Sequence, residues 1–285
     1  MAKKYPNAES FRQALTAKLQ TISKIEGKSI ESFQYRVVFE QFLARVFHDK
    51  NESWVVKGAY SLELRYKDED INRTTTDIDF VLKELKNLSQ DDILEMLKKI
   101  CKIDLEDWFS FEVFPSQELA QPQYGGWRYL IIARIGNKEF RKFNVDIVIG
   151  DHFISEVEWT KGYELLSFAD IETPQIAIIP LGKQFAEKIH ALTNPQLLNN
   201  SRVKDLVDIV IYIDKGLSEK PILIKELQNT FSSRKTHEIP KVILKPSEDW
   251  KVPYEELASE WGASKKSLDE AHRYLSEFWI NLYSN

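Results

Sequence analysis

Residues 72–82 read NRTTTDIDFVL, and the interpretation of the whole chain turns on this run. It is β-prone, yet it carries two carboxylates, Asp77 and Asp79, around a single isoleucine. Side chains alternate along a strand, so Asp77, Asp79 and Val81 look one way while Ile78, Phe80 and Leu82 look the other. One face is apolar and the other acidic. Two carboxylates about 5 to 6 Å apart repel by roughly 3 kcal/mol at an effective dielectric near 20, a penalty that a bound cation turns into attraction. The pair is therefore either solvated or metal-loaded.

A third acid repeats the pattern. In FNVDIVIG, residues 143–150, alternation sets Val145, Ile147 and Ile149 on one face and Asn144, Asp146 and Val148 on the other. Taken alone, Asp146 is better explained as a solvated or capping acid near a strand end; the pair and the third acid together, with the upstream strand, turn and helix, favour a shared site. If the two strands are neighbours in one sheet, three carboxylates converge. Three hard oxygen donors with open positions left over suit Mg²⁺ or Mn²⁺, with substrate phosphates completing the shell.

Working outward, SWVV reads as a short strand and KGAYSLELRY changes period from two to about 3.6, giving a strand, a small-residue turn and a helix start. Upstream, residues 8–24 and 30–48 carry apolar positions at helical spacing and are expected to form two amphipathic helices. Residues 89–101 form a further helix with Ser89 as N-cap and acids in the first turn. WFSFEVF, WRYLIIARIG and FRKFNVDIVIGD are β-rich, and the last two form a hairpin across GNKE. The expected class is α+β: a mixed sheet with flanking helices, followed by a helical C-terminal domain. From Leu181 onward the pattern is helical almost throughout, with a turn-rich linker, TNPQLLNNS, at 193–201. The expected domains are residues 1–175 and 176–285.

The totals bound the function. With 43% apolar and 12% aromatic residues in 285, the chain can build well-packed cores. A net charge of −5 argues against coating nucleic acid by bulk electrostatics, though not against a local basic groove. One such segment is RKTHEIPKVILK, residues 234–245, which either contacts RNA phosphates or is an ordinary surface loop. Cys101 is the single cysteine, so no internal disulfide is possible and a cytoplasmic protein is expected. No secretory signal is read at the start, and the longest apolar runs fall short of a bilayer span, so no membrane association is expected. Five scattered histidines lack zinc spacing, and neither a P-loop nor a G-x-S-x-G elbow occurs. Lys183, Glu187 and His190 sit at i, i+4 and i+7 and read as a surface ion-pair ladder. Asp205 and Asp208 read as a solvated helix face, and the tryptophans as core or sheet-edge residues.

VVKGAYSLELRY, NRTTTDIDFVL, NVDIVIG, AEKIHAL and RVKDLVDI, in this order, resemble the AbiEii-type nucleotidyltransferase toxins. That family lies within the DNA polymerase β-like nucleotidyltransferase superfamily and supplies the toxin of type IV toxin–antitoxin systems. The resemblance implies that Asp77, Asp79 and Asp146 are metal ligands and catalytic. It implies nucleotide-binding roles for Lys57, Gly58, Ala59 and Ser61 in the turn, where a missing side chain at Gly58 lets backbone approach phosphate. Lys188 would hold the triphosphate, and Asp205 would be the acid of an R-x-K-D signature beside Arg202 and Lys204. Two departures stand out. Ala59 replaces the usual Gly or Ser and offers no hydroxyl, so that either Ser61 substitutes or backbone amides suffice, and the gap from Gly58 to Asp77 is long.

The implied reaction is Mg²⁺-dependent (or Mn²⁺-dependent) transfer of a nucleoside monophosphate from an NTP to an acceptor hydroxyl, with the NTP in a cleft between the two domains. Asp146 would draw the proton from that hydroxyl. RNA, particularly a tRNA 3′ end, is the acceptor the family suggests, and a cognate antitoxin the partner. The alternatives are a small-molecule (antibiotic) nucleotidyltransferase and a degenerate nucleotide-binding or partner-docking module without catalysis.

Overall fold

The acidic run forms strand β2 (Asp77–Leu82) inside a mixed sheet whose strand order is β3-β4-β5-β2-β1-β7-β6. The structure is a computed structural model describing residues 4–50, 52–69, 71–83, 88–118, 126–149, 156–195 and 202–284. β2 pairs antiparallel with β1 (Trp54–Lys57) and parallel with β5 (Lys138–Ile149). β4 (Gly126–Ile135) makes the expected hairpin with β5, turning at Gly136, whose φ of +60° is cheap only for glycine. β3 (Phe109–Glu118) closes that edge, and Pro115 sits there at a register shift, where a missing N–H costs least. On the other side β7 (Gln175–Ile178) runs parallel to β1 and pairs with β6 (Glu158–Lys161).

The apolar face follows the alternation. Ile78, Phe80, Val145 and Ile147 are fully buried. Helices α1 (Ala8–Glu26), α2 (Ile30–Val46) and α3 (Gly58–Arg65) cover it through aromatic edges: Phe11 on Phe109 at 5.8 Å, Phe39 on Phe143 at 5.1 Å and on Tyr60 at 4.9 Å. α4 (Gln90–Cys101) starts at a capping box in which Ser89 and Asp92 satisfy each other's backbone N–H, and Tyr129 donates to the Gln90 carbonyl.

α2 departs from expectation. It is buried on nearly every side, with Arg36, Glu40, Gln41 and Arg45 enclosed. The ionisable groups among them, Arg36, Glu40 and Arg45, are tolerated because each has a partner. Arg45 uses all its donors, reaching both Asp107 oxygens at 2.8 Å and the carbonyls of Gln41, Ile103 and Phe109. Arg36 pairs with Glu63 at 2.7 Å. Glu40 accepts the Tyr163 backbone N–H, and burial pushes its carboxyl up to about 7.

The chain packs into two compact units, Met1–Lys67 with Thr74–Ile178, and Asp68–Arg73 with Ile179–Asn285. The second contains α5 (Leu181–Thr193), α6 (Val203–Lys215), α7 (Lys220–Arg234), α8 (Lys251–Trp261) and α9 (Leu268–Tyr283). Trp250, Trp261 and Trp279 are core residues there. Of the linker expected at 193–201, residues 196–201 lie outside the described residues. The surface ladder is not found: Lys183 and His190 are buried, and Glu187 pairs with Arg234.

His190 instead belongs to a directed hydrogen-bond chain. Arg234 can only donate, so His190 Nδ1 accepts from it at 3.4 Å and His190 Nε2 donates to Thr236. Thr236 then donates to His237 Nδ1, His237 donates to Thr193, and Thr193 to the Ile189 carbonyl. Among the described residues no helix is long and apolar enough to cross a membrane.

Candidate active site

Asp79 and Asp146 are direct partners across the parallel β2–β5 pair, and Asp77 lies opposite Asn144 one step along the same face. The registers extend this into a row across four strands: Lys57 on β1, Asp79 on β2, Asp146 on β5, Arg128 on β4. Two acids are bracketed by two bases. Asn144 Nδ2 donates to Asp77 Oδ1 at 3.2 Å, holding that carboxylate toward β5. Val81 and Val148 continue the face as buried residues, so the acidic part is its end toward Asp77.

β1 passes straight into α3 at Gly58, whose φ is +66°. A Cβ added there would lie 2.0 Å from Asp79 Oδ2, so the carboxylate rests on the bare Cα. Gly58 is thus required twice, for a left-handed backbone and for the approach of Asp79. Ser61, one of the two stand-ins expected for the hydroxyl that Ala59 lacks, is buried and donates to the Gly58 carbonyl at 2.9 Å, inside its own helix. Lys57 and Ala59 are half-buried beside Gly58.

The three carboxylates share a face without forming a ligand cage. Among the described residues no three acidic, histidine or cysteine side chains are grouped to hold a metal ion. Asp146 is engaged elsewhere: Arg128 Nε and Nη2 donate to Asp146 Oδ1 and Oδ2, both at 2.7 Å. Those bonds, then the charges of Asp146, Asp77 and Asp79, raise the Arg128 pKa against its partial burial.

In the second unit, Lys188 Nζ lies 2.8 Å from Asp205 Oδ1 and 2.7 Å from Asp208 Oδ2. Asp208, read from sequence as solvated, is 0% exposed and also meets Arg73 at 3.2 Å. Arg73 in turn stacks on Trp261, 3.9 Å from the ring centre. Burial opposes the Lys188 charge, but Asp205 and Asp208 raise its pKa, while Lys188 and Arg202 lower that of Asp205. Arg202 reaches Asp205 at 3.3 Å and Lys204 is exposed.

The model of the AbiEii nucleotidyl transferase toxin family, type IV toxin–antitoxin system, matches residues 41–278. The chain belongs to that family. The match takes in the acidic row, the Gly58 turn and the Lys188 cluster, and the α+β fold with its mixed sheet is that expected of an AbiEii nucleotidyltransferase. A search of curated proteins found no match.

Within this AbiEii chain, sequence reading missed Arg128 and Arg73. Arg128 lies in WRYLIIARIG, where alternation already separates Arg128, Leu130, Ile132 and Arg134 from the buried Tyr129, Ile131 and Ala133. Counting back from the hairpin turn at Ile135↔Lys138 pairs Arg128 with Val145, one residue off. A bulge beside Ala133 and Arg134 shifts the register and brings Arg128 onto Asp146. Arg73 carries no such signal, since its partners are 135 and 188 residues away.

Proposed function

We propose that the acidic row catalyses metal-dependent transfer of a nucleoside monophosphate from an NTP to the hydroxyl of an RNA acceptor, a tRNA 3′ end, as the toxin of a cytoplasmic toxin–antitoxin pair with a cognate antitoxin. The observation that carries it is the direct pairing of Asp79 with Asp146, with Asp77 on the same face. The donor chemistry fits the group, since hard carboxylates suit Mg²⁺ or Mn²⁺ and the registers put the three on neighbouring strands, but Asp146 would have to leave Arg128 to join the other two. Bound there, the metal would neutralise charge on the reacting phosphate.

The chain's own residues supply the rest. Asp77 and Asp79 would hold the metal, and their carboxylates are kept in place by Asn144 and by the bare Gly58 Cα. Asp146 would complete the set and accept the proton of the acceptor hydroxyl. The backbone at Lys57, Gly58 and Ala59 meets the phosphates at the start of α3, where the helix dipole favours negative charge. Within the second unit, family membership would give Lys188 and Arg202 a nucleotide-binding role, with Asp205 orienting the lysine and Lys204 beside it.

Purified protein with Mg²⁺, each α-labelled NTP and either total RNA or tRNA should transfer label to RNA. Asp77→Asn and Asp79→Asn should each lower that rate by about 10³ or more, the scale of losing a group that acts in the transition state. Both should leave the metal-free melting temperature near or slightly above wild type, because repulsion is relieved. Unchanged transfer in either variant would remove the metal-ligand assignment. Label appearing on a small-molecule hydroxyl instead of RNA would keep the reaction and replace the acceptor.

A further inference from the structure

Two contacts of 2.7 Å in the acidic row are made by a residue that no part of the proposed reaction uses. Arg128 spends its fork on Asp146, one bond to each oxygen at 2.7 Å, and sits on the face shared with Asp77 and Asp79. Its side chain is 29% exposed and that of Asp146 14%, so the pair lies open enough to be exchanged.

We propose that Arg128 is the resident counter-cation of the acidic row and a positioning residue for Asp146, released to a substrate phosphate when nucleotide and metal arrive together. This rests on the reading that Asp77, Asp79 and Asp146 hold a divalent ion. A carboxylate offers about four lone-pair sites, and a side-on guanidinium takes the inner pair, one per oxygen. A metal ion meeting Asp146 in this state finds those sites taken and a positive charge a few ångströms away. Metal alone therefore binds to an incomplete set.

A triphosphate changes the balance. Its oxygens match the guanidinium fork as well as a carboxylate does, so Arg128 can exchange one anion for another without being left uncompensated. Asp146 is then freed for the metal, and loading becomes coupled: nucleotide strengthens metal binding, and metal strengthens nucleotide binding by the same factor. A site built this way binds Mg²⁺ weakly without NTP. A merely structural cross-strand pair, by contrast, fixes strand register and has no effect on metal.

The test is Mn²⁺ binding followed by electron paramagnetic resonance, with and without a non-hydrolysable NTP analogue. Wild type, Arg128→Met, Arg128→Gln and Arg128→Lys are compared, each also combined with Asp146→Asn, and folding is checked by circular dichroism. Met keeps the stem's packing and Gln its polar end, so one of them reports even if the other unfolds. Removing a positive charge beside the row should tighten Mn²⁺ binding without nucleotide by about tenfold or more, a small part of the Coulomb energy at this range. Analogue binding should weaken, and the mutual enhancement of metal and nucleotide should disappear. Arg128→Lys keeps the charge but loses the fork, and should fall between. In the Asp146→Asn background, removing Arg128 should give a clearly smaller gain, because only its charge is then removed and no carboxylate is released.

Unchanged Mn²⁺ affinity in folded Arg128→Met and Arg128→Gln, with wild type binding Mn²⁺ and transferring label, overturns this inference and leaves the proposed function standing. Absence of Mn²⁺ binding in every protein, together with absence of transfer, removes the metal site and this inference with it.

Discussion

At Gly58 a missing side chain is as much part of the site as the carboxylates. Its φ of +66° costs an alanine roughly 1–2 kcal/mol, and the new Cβ would stand 2.0 Å from Asp79 Oδ2. The carboxylate is the flexible end of its side chain, so it yields and swings off the row. Gly58→Ala should therefore lower stability by about 1–2 kcal/mol in urea unfolding and abolish Mn²⁺ binding and nucleotidyl transfer. Stability lost with Mn²⁺ binding intact would show that Asp79 does not need its present seat. Ala59 is the converse case: it lacks a hydroxyl, and the nearby Ser61 hydroxyl is committed to the Gly58 carbonyl, so under the proposed function the phosphates would fall to backbone N–H groups at this turn.

At the level of elements, the strands were far more legible than the helix behind them. Alternation alone separated Asp77, Asp79 and Asp146 from Ile78, Phe80, Val145 and Ile147, because a period of two has no other outcome once the strand forms. What alternation cannot show is a bulge, so the partnership of Arg128 with Asp146 was out of reach. α2 was misread as amphipathic for a different reason: charged residues count as surface in a periodicity argument, and only the fold reveals that Arg36, Glu40 and Arg45 have enclosed partners. Glu40 gives this helix a measurable signature. Folded Glu40 holds its proton to about pH 7, whereas the ordinary value is 4.5. Between these values the folded state binds more protons than the unfolded one, so stability falls as pH rises through that window. The contribution amounts to roughly 3 kcal/mol and is fully present below pH 4.5. Glu40→Gln mimics the protonated form and can still accept the Tyr163 N–H. It should match wild type in urea unfolding at low pH and exceed it by up to about 3 kcal/mol at pH 8; parallel profiles for the two proteins would show Glu40 to be ionised throughout.

On the scale of the whole molecule, family membership makes growth the natural readout. Induced expression should arrest growth of a bacterial host, and Asp79→Asn expressed to the same level should not; arrest by both would place toxicity outside the acidic row. The second unit is discontinuous: Asp68–Arg73 packs with residues 179–285, and Arg73 lodges between Asp208 and the Trp261 ring. During synthesis Arg73 leaves the ribosome more than a hundred residues ahead of either partner. It has to wait, unanchored, until most of the chain has been made. A fragment beginning at Ile179 would never receive it, and Asp208 would then keep Lys188 without its arginine neighbour. The helical half is thus finished by a segment translated long before it.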